Sequence, residues 1–180
     1  FSSGVTQINI LIGTIIASFE AGAVSYLYYA DRIYQINLAI AGIAIGTVVL
    51  PELSKNIRNK NFQNIMNIQN KSLELCLLFS LPACLGLIIA SKEIVSALFG
   101  YGSFSDENVT LTAQALKYFG YGVPAFALIK VLSNFLFARD NTKVPFYISA
   151  FVVLLNISIS LLYFKEIGFV IIPIATSIST

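Results

Sequence analysis

Residues 24–53 read VSYLYYADRIYQINLAIAGIAIGTVVLPEL, one apolar run with an acid and a base, Asp31 and Arg32, set inside it rather than at an end. As far as Leu50 these two carry its only charges. Taken as a helix at ~1.5 Å per residue, the run is about 40 Å long, enough to cross a bilayer with tilt. A guanidinium at that depth costs about 3 kcal/mol on insertion scales and persists where it faces protein, trapped water or an anionic ligand. Two readings of Arg32 follow. Either its stem snorkels to the nearer interface, about two turns away, or it lines a polar cavity and meets an anion. Asp31 does not neutralise it by stacking, because neighbours i and i+1 point about 100° apart on a helix.

Composition agrees with a membrane setting. Of 180 residues, 57% are hydrophobic and 11% charged, with a mean hydropathy of +0.80, which excludes a soluble globular domain and predicts an all-α integral membrane protein. Histidine is absent, so neither a His-based metal site nor a His-assisted catalytic triad can be built. Cys76 and Cys84 lie on one predicted helix, about 12 Å apart along its axis, too far for a disulfide. No G-x-x-x-x-G-K-[ST], H-E-x-x-H or G-x-S-x-G occurs, so no enzyme chemistry, metal or cofactor is predicted. A net charge of +2 singles out no nucleic-acid partner. The chain begins at Phe1 and stops at Thr180 inside an apolar run, and is expected to be part of a longer protein without a signal peptide at this point.

Six membrane spans are predicted within one transmembrane domain, 1–180, at about 4–19, 24–51, 72–91, 109–138, 146–164 and 168–180. The turn Glu20-Ala21-Gly22-Ala23 is so short that the first two helices are expected to be antiparallel neighbours. In the first, Gln7 and Asn9 are amides of the kind that bond to a neighbouring helix. Tyr26, Tyr28, Tyr29 and Tyr34 crowd the second, either as an interfacial aromatic belt or beside Arg32 on a polar cavity. Gly42 and Gly46 form a G-x-x-x-G spacing that lets another helix approach, and Pro51 is expected to close this helix. Segment 55–71 is the most polar, with Lys55, Arg58, Lys60 and Lys71 and no acid, and reads as a cytoplasmic loop.

Pro82 is expected to kink the third helix, and 92–109 to form an outer loop ending in Ser105 as N-cap with Asp106 and Glu107 in the next first turn. Gly120, Gly122 and Pro124 suggest a kink or hinge in the fourth. Lys130, near its inner end, either snorkels or faces a cavity. Lys55, Arg58, Lys60, Lys71, Arg139 and Lys143 fall on the inside, Lys92 and Lys165 outside. That asymmetry supports both the helix count and the orientation. A hydrophobic bundle with inward cations and hinge-like Pro and Gly suits a secondary transporter.

GAVSYLYYADRIYQ, followed by GIAIGTVVLPELSK, resembles the paired motif of the lipid II flippases, the MurJ or MviN family of the multidrug, oligosaccharidyl-lipid and polysaccharide exporter (MOP) superfamily. LFGYGSFS and the run from Lys130 through FARDNTKVP agree, so the similarity covers essentially the whole sequence in order. The resemblance implies a fourteen-helix transporter of two lobes around a central cavity, of which this chain would be helices seven to twelve, most of the C-terminal lobe. Its activity would be transport of lipid II, an undecaprenyl-diphosphate-linked muropeptide, from the inner to the outer leaflet of the bacterial inner membrane by alternating access. Its partners would be lipid II and the N-terminal lobe of the same full-length chain. An Arg at the position of Arg32 would meet the substrate diphosphate, which suits a planar fork of donors that is always charged. Asp31 would orient it, Lys130 would add positive potential, and Tyr29, Gln35 and Asn156 are candidate cavity-lining residues. A related exporter of another lipid-linked oligosaccharide or of a drug, and a non-transporting membrane scaffold, are the alternatives.

This chain departs from some members of that family in carrying Gln35 for Glu and Asn37 for Pro. Some members also bind sodium through an Asp in the first of these helices and an Asn and Asp one turn apart in the fifth. Here the first helix has no acid and the fifth offers Asn156 with Ser160, so the coupling ion stays open.

Overall fold

The computed structural model describes the backbone of residues 2–180 and the side chains of all of these but 2–6, 8, 41, 43 and 44. Its elements are helices α1 (Ser2–Ala17), α2 (Ala23–Leu38), a π-helical turn (Ala39–Ala44), α3 (Ile45–Arg58), α4 (Phe62–Ile89), α5 (Ser91–Phe99), α6 (Asp106–Phe137), α7 (Lys143–Ile167), a 3₁₀ turn (Gly168–Val170) and α8 (Ile171–Ser179). Every described element is helical. Three stretches are long and apolar enough to cross a membrane, Phe62–Ile89, Asp106–Phe137 and Lys143–Ser179, the last broken at Gly168.

The centre of the bundle is α6, which runs alongside α4 on one side and α2 on another and also touches α3, α5 and α8. Its buried positions include the small residues Ala113, Ala115, Gly120, Gly122 and Ala127. Small side chains let backbones approach, which is how helices gain packing energy where lipid removes the hydrophobic drive. A Cβ on Gly120 would come within 2.9 Å of Leu87 Cβ on α4. One on Gly122 would meet the Phe126 ring and Ser177 Oγ at 2.8 Å. These glycines, expected to form a hinge with Pro124, therefore serve as points of close approach inside an unbroken α6.

Several expectations are corrected. Pro51 does not end its helix: α3 continues to Arg58, because Val49, Leu53 and Ile57 are held against α4 and α6 in an inner cluster with Ile65, Cys76, Val131 and Phe135. The polar segment 55–71 is not a loop. Only Asn59–Asn61 turns, with Lys60 at φ 53°, and α4 starts ten residues earlier than the predicted 72, capped by Asn61 Oδ1 accepting from Asn64 N–H at 3.2 Å. The stretch after α4 holds a further helix, α5, before Ser105 Oγ caps α6 by accepting from Asn108 N–H at 3.3 Å.

Most consequential is the first hairpin. α1 and α2 are joined by a tight turn with Gly22 at φ 79°, but α1 lies chiefly along α7 and α2 along α6. The two helices touch only briefly, and the space between them becomes a cavity.

Candidate functional site

The π-helical turn divides the long second helix into α2, packed in an outer cluster with Phe119, Leu116 and Val109 of α6 and Phe169 and Ile172 near α8, and α3 in the inner cluster. Leu38, at the end of α2, touches both clusters. On the α2 side of this break, side chains at 28, 31, 32 and 35 share neighbouring stripes of the helix surface, since i, i+3 and i+4 positions face one another.

Arg32 is exposed, with its Cζ 4.7 Å from the centre of the Tyr28 ring. Its Nη1 donates to Gln35 Oε1 at 3.4 Å, and Gln35 Nε2 in turn donates to Asp31 Oδ2. A neutral amide thus stands between the acid and the base. Among the described residues Arg32 has no ion pair within contact distance; its charge is met by the Tyr28 ring and the Gln35 amide, with the Asp31 carboxylate beyond that amide.

Asp31, half-buried, stands beside Arg32 on the same amide. It lines a cavity of about 300 Å³ with Asn9 and Thr14 of α1, Tyr28 of α2, Asn156 of α7 and Thr176 of α8, closed by apolar side chains that include Phe119 and Ile172. Asn156 is 4% exposed and donates from Nδ2 to Thr176 Oγ1 at 2.9 Å, which donates to Ile172 O at 2.7 Å.

The outer rim is pinned by three contacts. Glu20 Oε2 accepts from Phe169 N–H at 2.8 Å, Tyr26 Oη donates to Asn108 Oδ1 at 3.0 Å, and the Tyr26 ring lies 5.8 Å from that of Phe169.

Of the residues singled out in the sequence, Asp31, Arg32 and Gln35 are brought together, while Asn156 meets Asp31 across the cavity. Lys130 stands apart. Its stem packs where a Cβ on Gly42 would be 3.2 Å from Lys130 Cβ, and Gly42 is ten residues, ~15 Å of helix, beyond Arg32. The tyrosines divide between the two readings. Tyr29, expected on a cavity, instead packs against Phe99 at 4.8 Å and Phe104 at 5.4 Å, and the ring beside both Arg32 and the cavity belongs to Tyr28. Tyr34 is buried on Phe119 and Phe126. The signal that could have found Tyr28 is its i, i+4 spacing to Arg32.

Sodium ligation by the donor set of some relatives does not fit. Among the described residues no three His, Cys, Asp or Glu side chains converge, the position one turn after Asn156 is a buried serine, Ser160, and the α1 residues on the cavity are Asn9, Ile10, Gly13, Thr14 and Ala17, none acidic. Asp31, the carboxylate on the wall, already accepts from Gln35.

An all-helical bundle, with membrane-spanning helices and a guanidinium without an ion partner among the described residues on an exposed helix face, defines a multi-pass helical membrane protein. A solved MOP superfamily transporter from Pyrococcus furiosus, described as having a binding pocket of reverse polarity that suggests a different function, shares the fold at a TM-score of 0.81 and 19% identity, covering 99% of this chain and 39% of that one. The family profile described as "Lipid II flippase MurJ" matches residues 1–180, and the chain belongs to that family. A probable lipid II flippase MurJ from Rhizobium meliloti (strain 1021) is 44% identical over 167 residues, 93% of this chain and 31% of the relative. The solved "Lipid II flippase MurJ, inward closed conformation" superposes with a TM-score of 0.90 at 30% identity, covering 99% of this chain and 38% of that one. The chain thus spans about a third of the length of the relatives it matches.

Proposed function

We infer that this chain is most of the C-terminal lobe of a lipid II flippase of the bacterial inner membrane, and that the full-length protein moves undecaprenyl-diphosphate-linked muropeptide from the inner to the outer leaflet by alternating access. The observation that carries this reading is the state of Arg32: exposed on a membrane helix, backed by the Tyr28 ring, and bonded only to a neutral amide. A diphosphate offers oxygens matched to the guanidinium fork, and its charge supplies the compensation that the lobe itself withholds. Asp31 sets orientation through Gln35 rather than by direct pairing. Lys130, exposed and with its stem on the π-helical turn, adds positive potential nearer the inner end. The N-terminal lobe of the parent would face this surface and complete the substrate cavity.

The test uses the full-length parent in cells depleted of their own flippase, comparing the wild type with Arg32→Ala for exposure of lipid II on the outer leaflet. Restoration by the wild type alone, at equal protein levels, supports both the cargo and the residue. If neither restores exposure, another lipid-linked glycan or a drug becomes the cargo to try. Restoration by both would make Arg32 structural and favour a site elsewhere.

A further inference from the structure

We propose that Tyr28 and Gln35 are positioning residues for Arg32, holding its guanidinium edge-out toward an anion; this rests on the reading of Arg32 as the diphosphate-binding group. An exposed arginine with several free torsions would sample many rotamers, and ordering it on binding costs side-chain entropy. Here two contacts define its place. The Tyr28 ring lies beneath the guanidinium carbon at 4.7 Å, and Gln35 Oε1 accepts from Nη1 at 3.4 Å. One N–H is used and the ring sits against the cation, which leaves the other guanidinium donors without a partner among the described residues.

Each of the two contacts is itself fixed. Gln35 is turned by its second bond: with Nε2 donating to Asp31, its oxygen is the end presented to Arg32. An amide aimed by the acid holds the guanidinium without itself carrying a charge. Tyr28 is 55% exposed, yet its ring is not free, because it meets Tyr29 edge-on at 5.9 Å, and Tyr29 is wedged against Phe99 of α5 and Phe104 of the following turn. The aromatic series links α5 and the outer turn to the guanidinium.

The experiment measures binding of a short-chain polyprenyl diphosphate to the purified full-length parent, with melting temperature as a control for folding. Tyr28→Leu removes the ring and Gln35→Met removes both bonds at similar volume. Each is expected to weaken binding by roughly tenfold, the range of a partly desolvated cation–π contact or of one bond to a charged group, with little change in melting temperature. Tyr28→Phe is expected to recover most of what Tyr28→Leu loses, because the ring rather than the hydroxyl supports the cation. Parental affinity in both Tyr28→Leu and Gln35→Met, while Arg32→Ala abolishes binding, would overturn the positioning roles and leave Arg32 as the diphosphate ligand. Equal loss in Tyr28→Phe and Tyr28→Leu would overturn the cation–π role. A fall in melting temperature that accounts for the affinity loss would assign the pair to folding and likewise overturn it. Parental binding in Arg32→Ala would instead remove the underlying reading.

Discussion

Arg32 shows how a residue's function depends on what its neighbours decline to do. A lysine at this position carries the same charge, but as a compact point charge without the planar fork, and it cannot bond Gln35 while presenting paired donors outward. Arg32→Lys in the full-length parent is therefore expected to lose most transport, at least about tenfold for a lost bidentate contact, read as lipid II exposure at matched protein levels. Full activity in that variant would mean that charge alone suffices. Glu20 illustrates a structural duty at the same scale. Its carboxylate receives Phe169 N–H and lies 3.1 Å from where a Cβ on Gly168 would stand, and Gly168 has φ 73° and ψ −159°, a region open essentially to glycine. Gly168→Ala is expected to cost about 1–3 kcal/mol, and Glu20→Ala about 1–2 kcal/mol, both read as lowered melting temperature of the purified parent. Glu20→Gln, which keeps an acceptor, should lose less.

Among the elements, α6 is where the helices come closest. Leu87 Cβ is the first carbon of its side chain and cannot swing clear, so a side chain added at Gly120 forces α4 and α6 apart. Gly120→Leu is expected to destabilise the bundle by about 1–3 kcal/mol or more, seen as a lower melting temperature and lower membrane levels. Gly46 is a milder case: a Cβ there falls on the Asn134 amide, the end of a side chain that can rotate away. The G-x-x-x-G spacing was legible as a place of close approach, and the structure names its neighbour as α6, at Lys130 and Asn134. Illegible was the π-helical turn between Leu38 and Ile45, since an apolar run with i, i+4 periodicity reads the same whether the local bond pattern is α or π. The continuation of α3 past Pro51 was hidden for a related reason. A proline removes one donor and one ladder bond, and whether the helix survives is set by how firmly its far end is packed.

For the whole molecule, the orientation rests on charge at the helix junctions. Lys55, Arg58 and Lys60 gather at the α3–α4 turn, with Arg139 and Lys143 at the α6–α7 turn, and all five are exposed. The inner cluster, which joins Ile57 and Ile65 to Phe135 and Ala138, places both turns at one end of the bundle. In a full-length parent whose Cys76 and Cys84 are replaced by serine, Lys60→Cys is expected to react with a membrane-impermeant thiol reagent only from the cytoplasmic side, and Lys165→Cys only from outside. Reversed labelling would invert the topology and with it the direction assigned to transport.

The sequence by itself determined that this is a helical membrane protein, which junctions carry the basic charge, and that a guanidinium lies within an apolar helix. These follow from composition and from the cost of placing charge in hydrocarbon, which are properties of residues and short windows. Only the tertiary structure decided that α1 and α2 part below Gly22 to open a cavity, that Asp31 lines it while Gln35 ties it to an exposed Arg32, and that Tyr28 rather than Tyr29 supports the cation. Which way a side chain points from an apolar helix depends on which neighbour fills each face, and that is settled by packing among elements distant in the chain, α6, α7 and α8 above all.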